Sequence, residues 1–250
     1  KIFMSDQVVC IIPSRYESTR FPGKPLAPIA GVPLIKRVYD RVRMVPCVTD
    51  IAVATDDERI FDAVAEFGGN CVLTPTECRT GSDRADEAAR LLELAPDDIV
   101  VNVQGDQPLI APETIEETVA PLLSPVDFGI STPVVAVSDE AEIRSIKNVK
   151  AVIDRGGFAI YFSRSPIPLV RDPGTPCTFY KHLGVYAFSR RFLGVYASLP
   201  SGVLEEIEKL EQLRALEYGY KIRVVVTRRD SPSVDLPEDI GHIEAMLASR

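Results

Sequence analysis

The chain has 250 residues, 46% hydrophobic and 26% charged, with a formal net charge of −8 at pH 7. That length and apolar fraction can bury a real core, as one large domain or as one domain with a smaller subdomain. The acidic balance excludes general binding to nucleic acid or to anionic membranes, both of which favour basic surfaces, so any anion must be met by a local cluster of cations.

In chain order, Lys1-Ile2-Phe3 reads as a frayed end or a non-native extension. Residues 8–12 (VVCII) predict a strand, and residues 33–45 a helix. Asp50–Thr55 (DIAVAT) predicts a second strand. In residues 57–67 Ile60, Phe61, Val64 and Phe67 share one helical face, and Gly68-Gly69 supplies the stop. Cys71–Leu73 reads as a short strand and residues 82–94 as a helix. Ile99–Val103 (IVVNV) is almost wholly apolar, as a strand covered on both faces must be. Residues 112–123 follow as a helix, with Pro112 in the tolerated first turn.

This alternation implies a mainly parallel sheet with helices on both sides, in which ligands bind at the carboxyl edge of the strands. After about residue 128 the rhythm changes. Residues 151–162 predict a hairpin turning at Gly156-Gly157, and a Pro-rich stretch occupies residues 165–176. Residues 182–188 read as one strand, which puts His182 and Tyr186 on the same side. Residues 204–218 read as one helix whose leucines and isoleucine recur every three positions, a row that predicts cover on more than one side. Residues 222–226 and 237–247 close the chain as strand and helix.

Five scattered cysteines (Cys10, Cys47, Cys71, Cys78, Cys177) without a C-x-x-C spacing read as reduced thiols. With no secretory signal and no run of about 20 apolar residues, the chain is expected to be soluble and cytoplasmic.

Three cations, Arg15, Arg20 and Lys24, crowd the loop after the first strand, stiffened by Pro13 and Pro22. At a strand's carboxyl end, a guanidinium fork at Arg15 and an ammonium at Lys24 suit phosphate oxygens; a solvated basic loop is the plain alternative. Each charge pair at about 4 Å gives roughly 4 kcal/mol before desolvation. Lys24 precedes Pro25 and lacks the upstream glycine, so this is not a Walker A loop. In Thr80-Gly81-Ser82-Asp83-Arg84, Ser82 is expected to cap a helix whose free N–H groups favour an anion or a base acceptor. Gln104-Gly105-Asp106 and Val234-Asp235 each place a carboxylate at a strand end or loop–helix junction, where a local turn or cap is the alternative. Two such acids converging need a cation between them, and Mg²⁺ is the natural choice. There is no His/Cys spacing for zinc and no hydrolase triad around Ser14 or Ser163. His182 is a satisfied structural histidine or a ligand-facing one; His242 reads as surface.

The segments IIPSRYESTRFPGKPL, TGSDR, VNVQGDQPLI, KAVID, IYFSRSPIP, HLGVYAF, LEQLRALEYG and VDLPEDI, in that order over almost the whole chain, resemble the 3-deoxy-manno-octulosonate (Kdo) cytidylyltransferases, or CMP-Kdo synthetases. The resemblance implies an α/β, three-layer nucleotidyltransferase (nucleotide-diphospho-sugar transferase-like) fold with a mainly parallel central sheet. It also implies a smaller mixed α/β dimerisation subdomain inserted at roughly residues 130–200, and a homodimer. The implied reaction joins CTP and Kdo into CMP-Kdo and pyrophosphate for lipopolysaccharide synthesis, the sugar's anomeric hydroxyl attacking the α-phosphorus in line.

Carried onto this sequence, Arg15 and Lys24 hold the triphosphate, and Pro13, Ser14, Arg15, Gly81, Ser82, Arg84 and Gln104 hold the cytidine. Asp106 and Asp235 hold Mg²⁺, while Arg164, His182, Tyr186, Glu211 and Gln212 clamp Kdo, Arg164 by its carboxylate. Two positions depart from the family pattern: Gln107 replaces the usual Glu of GDEP, and Leu236 stands where Thr is frequent. The remaining alternatives are a cytidylyltransferase for another acidic sugar, such as a sialic acid or amino-Kdo, and a non-catalytic nucleotide-binding module. Loss of Lys24, Asp106 or Asp235 would have favoured the latter, and all three are present.

Overall fold

The computed structural model describes residues 7–18, 20–124, 126–172 and 174–249. Lys1-Ile2-Phe3 lies outside them, as do Thr19 of the cationic loop and Pro173 of the Pro-rich stretch.

The amino-terminal half alternates as its pattern demands. Strand β1 (Val8–Ser14) leads through a small hairpin, β2 (Pro28–Ile29) and β3 (Val32–Pro33), into α1 (Leu34–Val42). Then come β4 (Asp50–Thr55), α2 (Glu58–Glu66), β5 (Cys71–Leu73), α3 (Gly81–Leu91), β6 (Ile99–Val103) and α4 (Pro112–Val119). Asp57 caps α2 by accepting the Arg59 N–H at 2.9 Å, and Gly68, at φ 73°, takes the left-handed conformation that ends it. The strands lie in the order β5-β4-β1-β6, all parallel.

Beyond it stand β7 (Ile130–Val137), α5 (Glu140–Arg144), β8 (Lys150–Ile153), β9 (Ala159–Ser163), β10 (Phe179–His182), β11 (Val185–Ser189) and α6 (Arg190–Ser198). The chain closes with α7 (Val203–Glu208), α8 (Leu213–Glu217), β12 (Arg223–Thr227) and α9 (Asp239–Ala248). Here the pairing turns antiparallel: β11 joins β6, β10 joins β8, and β8 and β9 form the expected hairpin, while β12 runs parallel to β7.

The period of two along each strand splits the interior between the two faces of the sheet. Val8, Cys10 and Ile12 pack with Leu34, Ile35 and Val38 of α1, Ile60 and Val64 of α2, and Ile115 of α4. Val9 and Ile11 pack with Ala85, Ala88 and Ala89 of α3 and Leu193 of α6. Each buried aliphatic side chain contributes about 1.5–3 kcal/mol. Asn102 and Tyr186 lie on the α3 side, which therefore carries the polar chemistry near the strand ends.

Two elements differ from expectation. Residues 182–188 are not one regular strand. Ser131 of β7 pairs with both Ala187 and Arg223, and Val134 with both His182 and Val226, so β10 and β11 share one edge of β7 and β12 has the other. From His182 to Ala187 is five steps, but from Val134 back to Ser131 only three, so a bulge takes up two extra residues around Gly184. Residues 204–218 are not one helix either. Lys209, at φ 53°, takes the left-handed conformation and separates α7 from α8. Leu204 and Ile207 of that row stay exposed in this chain, as does Val203 before it, so the expected cover on several sides does not hold at its start.

Candidate active site

The end of β1 and the loop after it are shaped by two close approaches. A Cβ on Gly105 would stand 2.5 Å from Ser14 Oγ and 3.1 Å from the Pro13 carbonyl, so the β6 end meets the β1 end only through a glycine. Gly23, at φ 70°, packs against the Tyr16 ring and donates its N–H to the Tyr16 carbonyl at 2.9 Å. That closure turns Lys24 back towards β6. Its ammonium donates to Asp106 Oδ2 at 2.6 Å and to the Val234 carbonyl at 3.0 Å, and the Val234 N–H donates to the Asp106 carbonyl at 2.9 Å. Three distant segments thus meet at one ammonium. Asp235 follows directly and holds Arg20 at 2.9 Å. Asp239 Oδ2 accepts the N–H groups of both Asp235 and Leu236, fixing this turn.

Two cavities open here. The smaller, about 230 Å³, is lined by Pro13, Ser14, Arg15, Lys24, Gly81 and Gln104, among others. The larger, about 1080 Å³, is lined by Arg164, His182, Tyr186, Glu211, Gln212 and Asp235, among others. Gly81, Gln104 and Asp106 line both. Of the nucleotide set, Pro13, Ser14, Arg15 and Lys24 line only the smaller cavity, while all five residues of the sugar set line only the larger.

Ser82 and Arg84 line neither cavity. Thr80, not Ser82, caps α3, its hydroxyl accepting the Asp83 N–H at 3.2 Å. Ser82 lies inside the helix, its hydroxyl accepting from Asn102 Nδ2 at 3.1 Å. The Arg84 guanidinium is fully buried on Thr74 and on Asp56, the latter at 2.6 Å, and so braces the site from behind. Arg15 donates to the Cys78 carbonyl; burial, then repulsion from Arg84, lowers its pKa.

In the larger cavity the β-bulge is held by Thr132. Its hydroxyl donates to the Val185 carbonyl at 2.7 Å and lies 2.8 Å from His182 Nε2. Because that hydroxyl has one proton, His182 Nε2 carries its own and donates, leaving Nδ1 as the ring's acceptor. Burial lowers the His182 pKa to about 3, so the ring is neutral. Its centroid is 5.5 Å from that of Tyr186, the pairing expected of residues on one side. Tyr186 OH donates to Gln212 Oε1 at 3.0 Å. Glu211 Oε2 accepts the Ser82 N–H at 3.1 Å at the start of α3; burial raises its pKa and these hydrogen bonds oppose the rise.

Arg164 lines the cavity, but its guanidinium already donates to three carbonyls: Glu208 at 2.8 Å, Ile146 at 3.0 Å and Lys209 at 3.4 Å. It thereby clamps the α7–α8 break, leaving two of its five N–H donors for a ligand. Lys181, absent from the sequence reading, also lines this cavity, paired with Asp230 at 2.5 Å and Glu142 at 3.5 Å.

A sequence profile described as cytidylyltransferase matches residues 9–222. The chain belongs to the cytidylyltransferase family. It is 64% identical to the 3-deoxy-manno-octulosonate cytidylyltransferase of Desulfosudis oleivorans, over 97% of this chain and 98% of that one. It is 52% identical to the 8-amino-3,8-dideoxy-manno-octulosonate cytidylyltransferase of Shewanella halifaxensis, over 96% and 98% respectively. Among solved structures, a CMP:2-keto-3-deoxy-manno-octonic acid synthetase complexed with CTP superposes with a TM-score of 0.90 at 38% identity, covering 98% and 99% of the two chains.

This cytidylyltransferase has no cluster of three or more His, Cys, Asp or Glu arranged for a metal among the described residues. Asp106 and Asp235 on one cavity fit a hard cation that takes its other ligands from phosphate and water, not an all-protein cage. No helix among the described residues is long and apolar enough to cross a membrane, and none of the five cysteines is in a disulfide. The contacts of Arg20, Lys181 and Thr132 escaped the sequence reading because their partners are distant in the chain, whereas Asp239 meets Asp235 and Leu236 only four and three residues away. The Pro237-Glu238-Asp239 run was the one local signal, pointing to a capping acid.

Proposed function

We infer that this cytidylyltransferase transfers CMP from CTP to 3-deoxy-manno-octulosonate, giving CMP-Kdo and pyrophosphate. The observation that carries the reading is the pair of cavities meeting at Asp106, one with the cations of the first loop, the other with the polar groups of the bulge and the α7–α8 break. The 64% identity to a relative named for that reaction supports the choice of sugar. A triphosphate in the smaller cavity brings its phosphates to Arg15 and Lys24 and its α-phosphorus towards Asp106. The sugar in the larger cavity then presents its anomeric oxygen from the other side of the same point. An O–P bond forms, the bond to the β-phosphate bridging oxygen breaks, and pyrophosphate leaves against Arg15 and Lys24 while the hydroxyl proton passes to solvent. Asp106 and Asp235 are the residues that would hold Mg²⁺, which when bound supplies charge neutralisation and alignment. His182, neutral and fixed by Thr132, binds the sugar as a hydrogen-bond partner, and Arg164 meets the sugar carboxylate with its remaining donors. Ser82 and Arg84 act through the elements they brace. The protein is proposed to work as a homodimer in the cytoplasm.

The 52% identity to an 8-amino-3,8-dideoxy-manno-octulosonate enzyme favours the amino sugar as a second reading. Pyrophosphate release from CTP and Mg²⁺ with each sugar separates them: faster release with Kdo is expected, and release with the amino sugar alone would reverse the assignment. Asp106→Ala and Asp235→Ala are expected to lower turnover about a hundredfold or more with an unchanged circular dichroism spectrum. Near-normal rates in either would refute the metal role.

A further inference from the structure

The two ring nitrogens of His182 have different surroundings. Nε2 lies 2.8 Å from the Thr132 hydroxyl, which itself donates to the Val185 carbonyl at 2.7 Å. Thr132 is fully buried on β7, out of reach of bulk water. Nδ1 has no partner among the described residues, and it is not one of the side-chain atoms that are buried unpaired. His182 lines the larger cavity, so Nδ1 is the nitrogen that opens on it. The ring is flanked by those of Phe162 and Tyr186, whose centroids lie 5.0 and 5.5 Å away.

One proton decides what the open nitrogen can do. The Thr132 hydroxyl commits its only hydrogen to Val185 and can only accept from Nε2, which must carry the ring's hydrogen. Burial lowers the His182 pKa to about 3, so no second proton sits on Nδ1. Nδ1 therefore offers the cavity a lone pair. A lone pair accepts from a hydroxyl and repels a carboxylate or phosphate oxygen, neither of which has a hydrogen to give. Arg164, on the same cavity, has only donors and suits a carboxylate. The two kinds of group on a sugar acid are thus sorted between two residues.

We propose that Thr132 is a positioning residue for the sugar: by accepting Nε2–H it makes His182 Nδ1 the acceptor for a hydroxyl of the octulosonate. This rests on the cytidylyltransfer reading above. Thr132 touches no substrate and acts through the tautomer of the ring.

That tautomer can be read directly. The chain has two histidines, so heteronuclear NMR of the full protein carrying ring-nitrogen-labelled histidine gives two sets of ring signals, and His242→Gln assigns them. At neutral pH the wild type is expected to show His182 protonated at Nε2 and bare at Nδ1. Thr132→Val keeps the side-chain shape and removes the hydroxyl. It is expected to lose the fixed tautomer and to raise the KM for Kdo in pyrophosphate release about threefold to tenfold. The KM for CTP and kcat should stay within about twofold, as for a lost contact that serves ground and transition states of one substrate alike. Thr132→Ser restores the hydroxyl and should recover the tautomer and most of the KM. In a His182→Ala background Thr132→Val should add little, because the ring it acts through is gone. No wild-type turnover of Kdo would reject the underlying reading and this inference with it. With turnover present, a protonated Nδ1 in the wild type, an unchanged Kdo KM in Thr132→Val, or equal rises for Kdo and CTP would overturn this inference alone. The first of these needs no variant to fold.

Discussion

The ammonium of Lys24, 2.6 Å from Asp106 and largely buried beside it, is an internal counter-ion where a divalent cation would otherwise compete. Arg20 holds the same relation to Asp235 from a more exposed position. Lys24→Met therefore frees the Asp106 carboxylate. Mn²⁺ binding without nucleotide, followed by electron paramagnetic resonance, is expected to tighten about tenfold, or about 1.4 kcal/mol, while turnover falls. An unchanged Mn²⁺ affinity would mean that the amine does not compete. His182 makes a separate prediction in acid. Its pKa is near 3 in the fold and about 6.5 when unfolded. Above pH 6.5 neither state is protonated and this group leaves stability unchanged. As pH falls from 6.5 towards 3 the unfolded chain takes up a proton that the folded chain refuses, so stability drops by up to about 1.4 kcal/mol per pH unit. His182→Gln should show a smaller fall in Tm between pH 7 and pH 4.5 than wild type; parallel falls would contradict this.

Arg214 is the joint between elements. It is fully buried, donates to both oxygens of Glu205 at 2.9 and 2.6 Å and to Asp83 at 2.8 Å, and lies 4.7 Å from the Tyr196 ring centroid. That one guanidinium ties α3, α7 and α8 together and holds Glu211 and Gln212 at the cavity. Arg214→Met leaves two acids facing each other without their cation, and urea unfolding should show a loss of about 3–5 kcal/mol. A loss below about 1 kcal/mol would show that the network is dispensable. The helix break this joint accompanies was not legible locally. Residues 203–218 contain no glycine or proline, and the leucine spacing alone predicts one continuous helix. The bulge between β10 and β11 left only Gly184 as a trace. In contrast, α2 was legible to within a residue or two, because Asp57, a single apolar face and Gly68 all act within the helix.

At the scale of the molecule, the alternation in β1 and β6 builds two cores, one on each face of a single sheet, and the cleft opens where the parallel strands end. Val203 and Ile207 of α7 remain 71% and 72% exposed, apolar surface of the kind a second copy covers. Sedimentation velocity on the purified protein should give twice the chain mass, and a monomer at micromolar concentration would contradict the proposed homodimer. By itself the sequence determined the strand–helix alternation, the cationic first loop and the acids at positions 106 and 235, since each depends on neighbours a few residues away. Only the tertiary structure decided that Lys24, Asp106 and Val234 share one point and that Arg84 and Arg214 are braces. Those facts arise from contacts between segments as many as 210 residues apart, whose geometry no local pattern encodes.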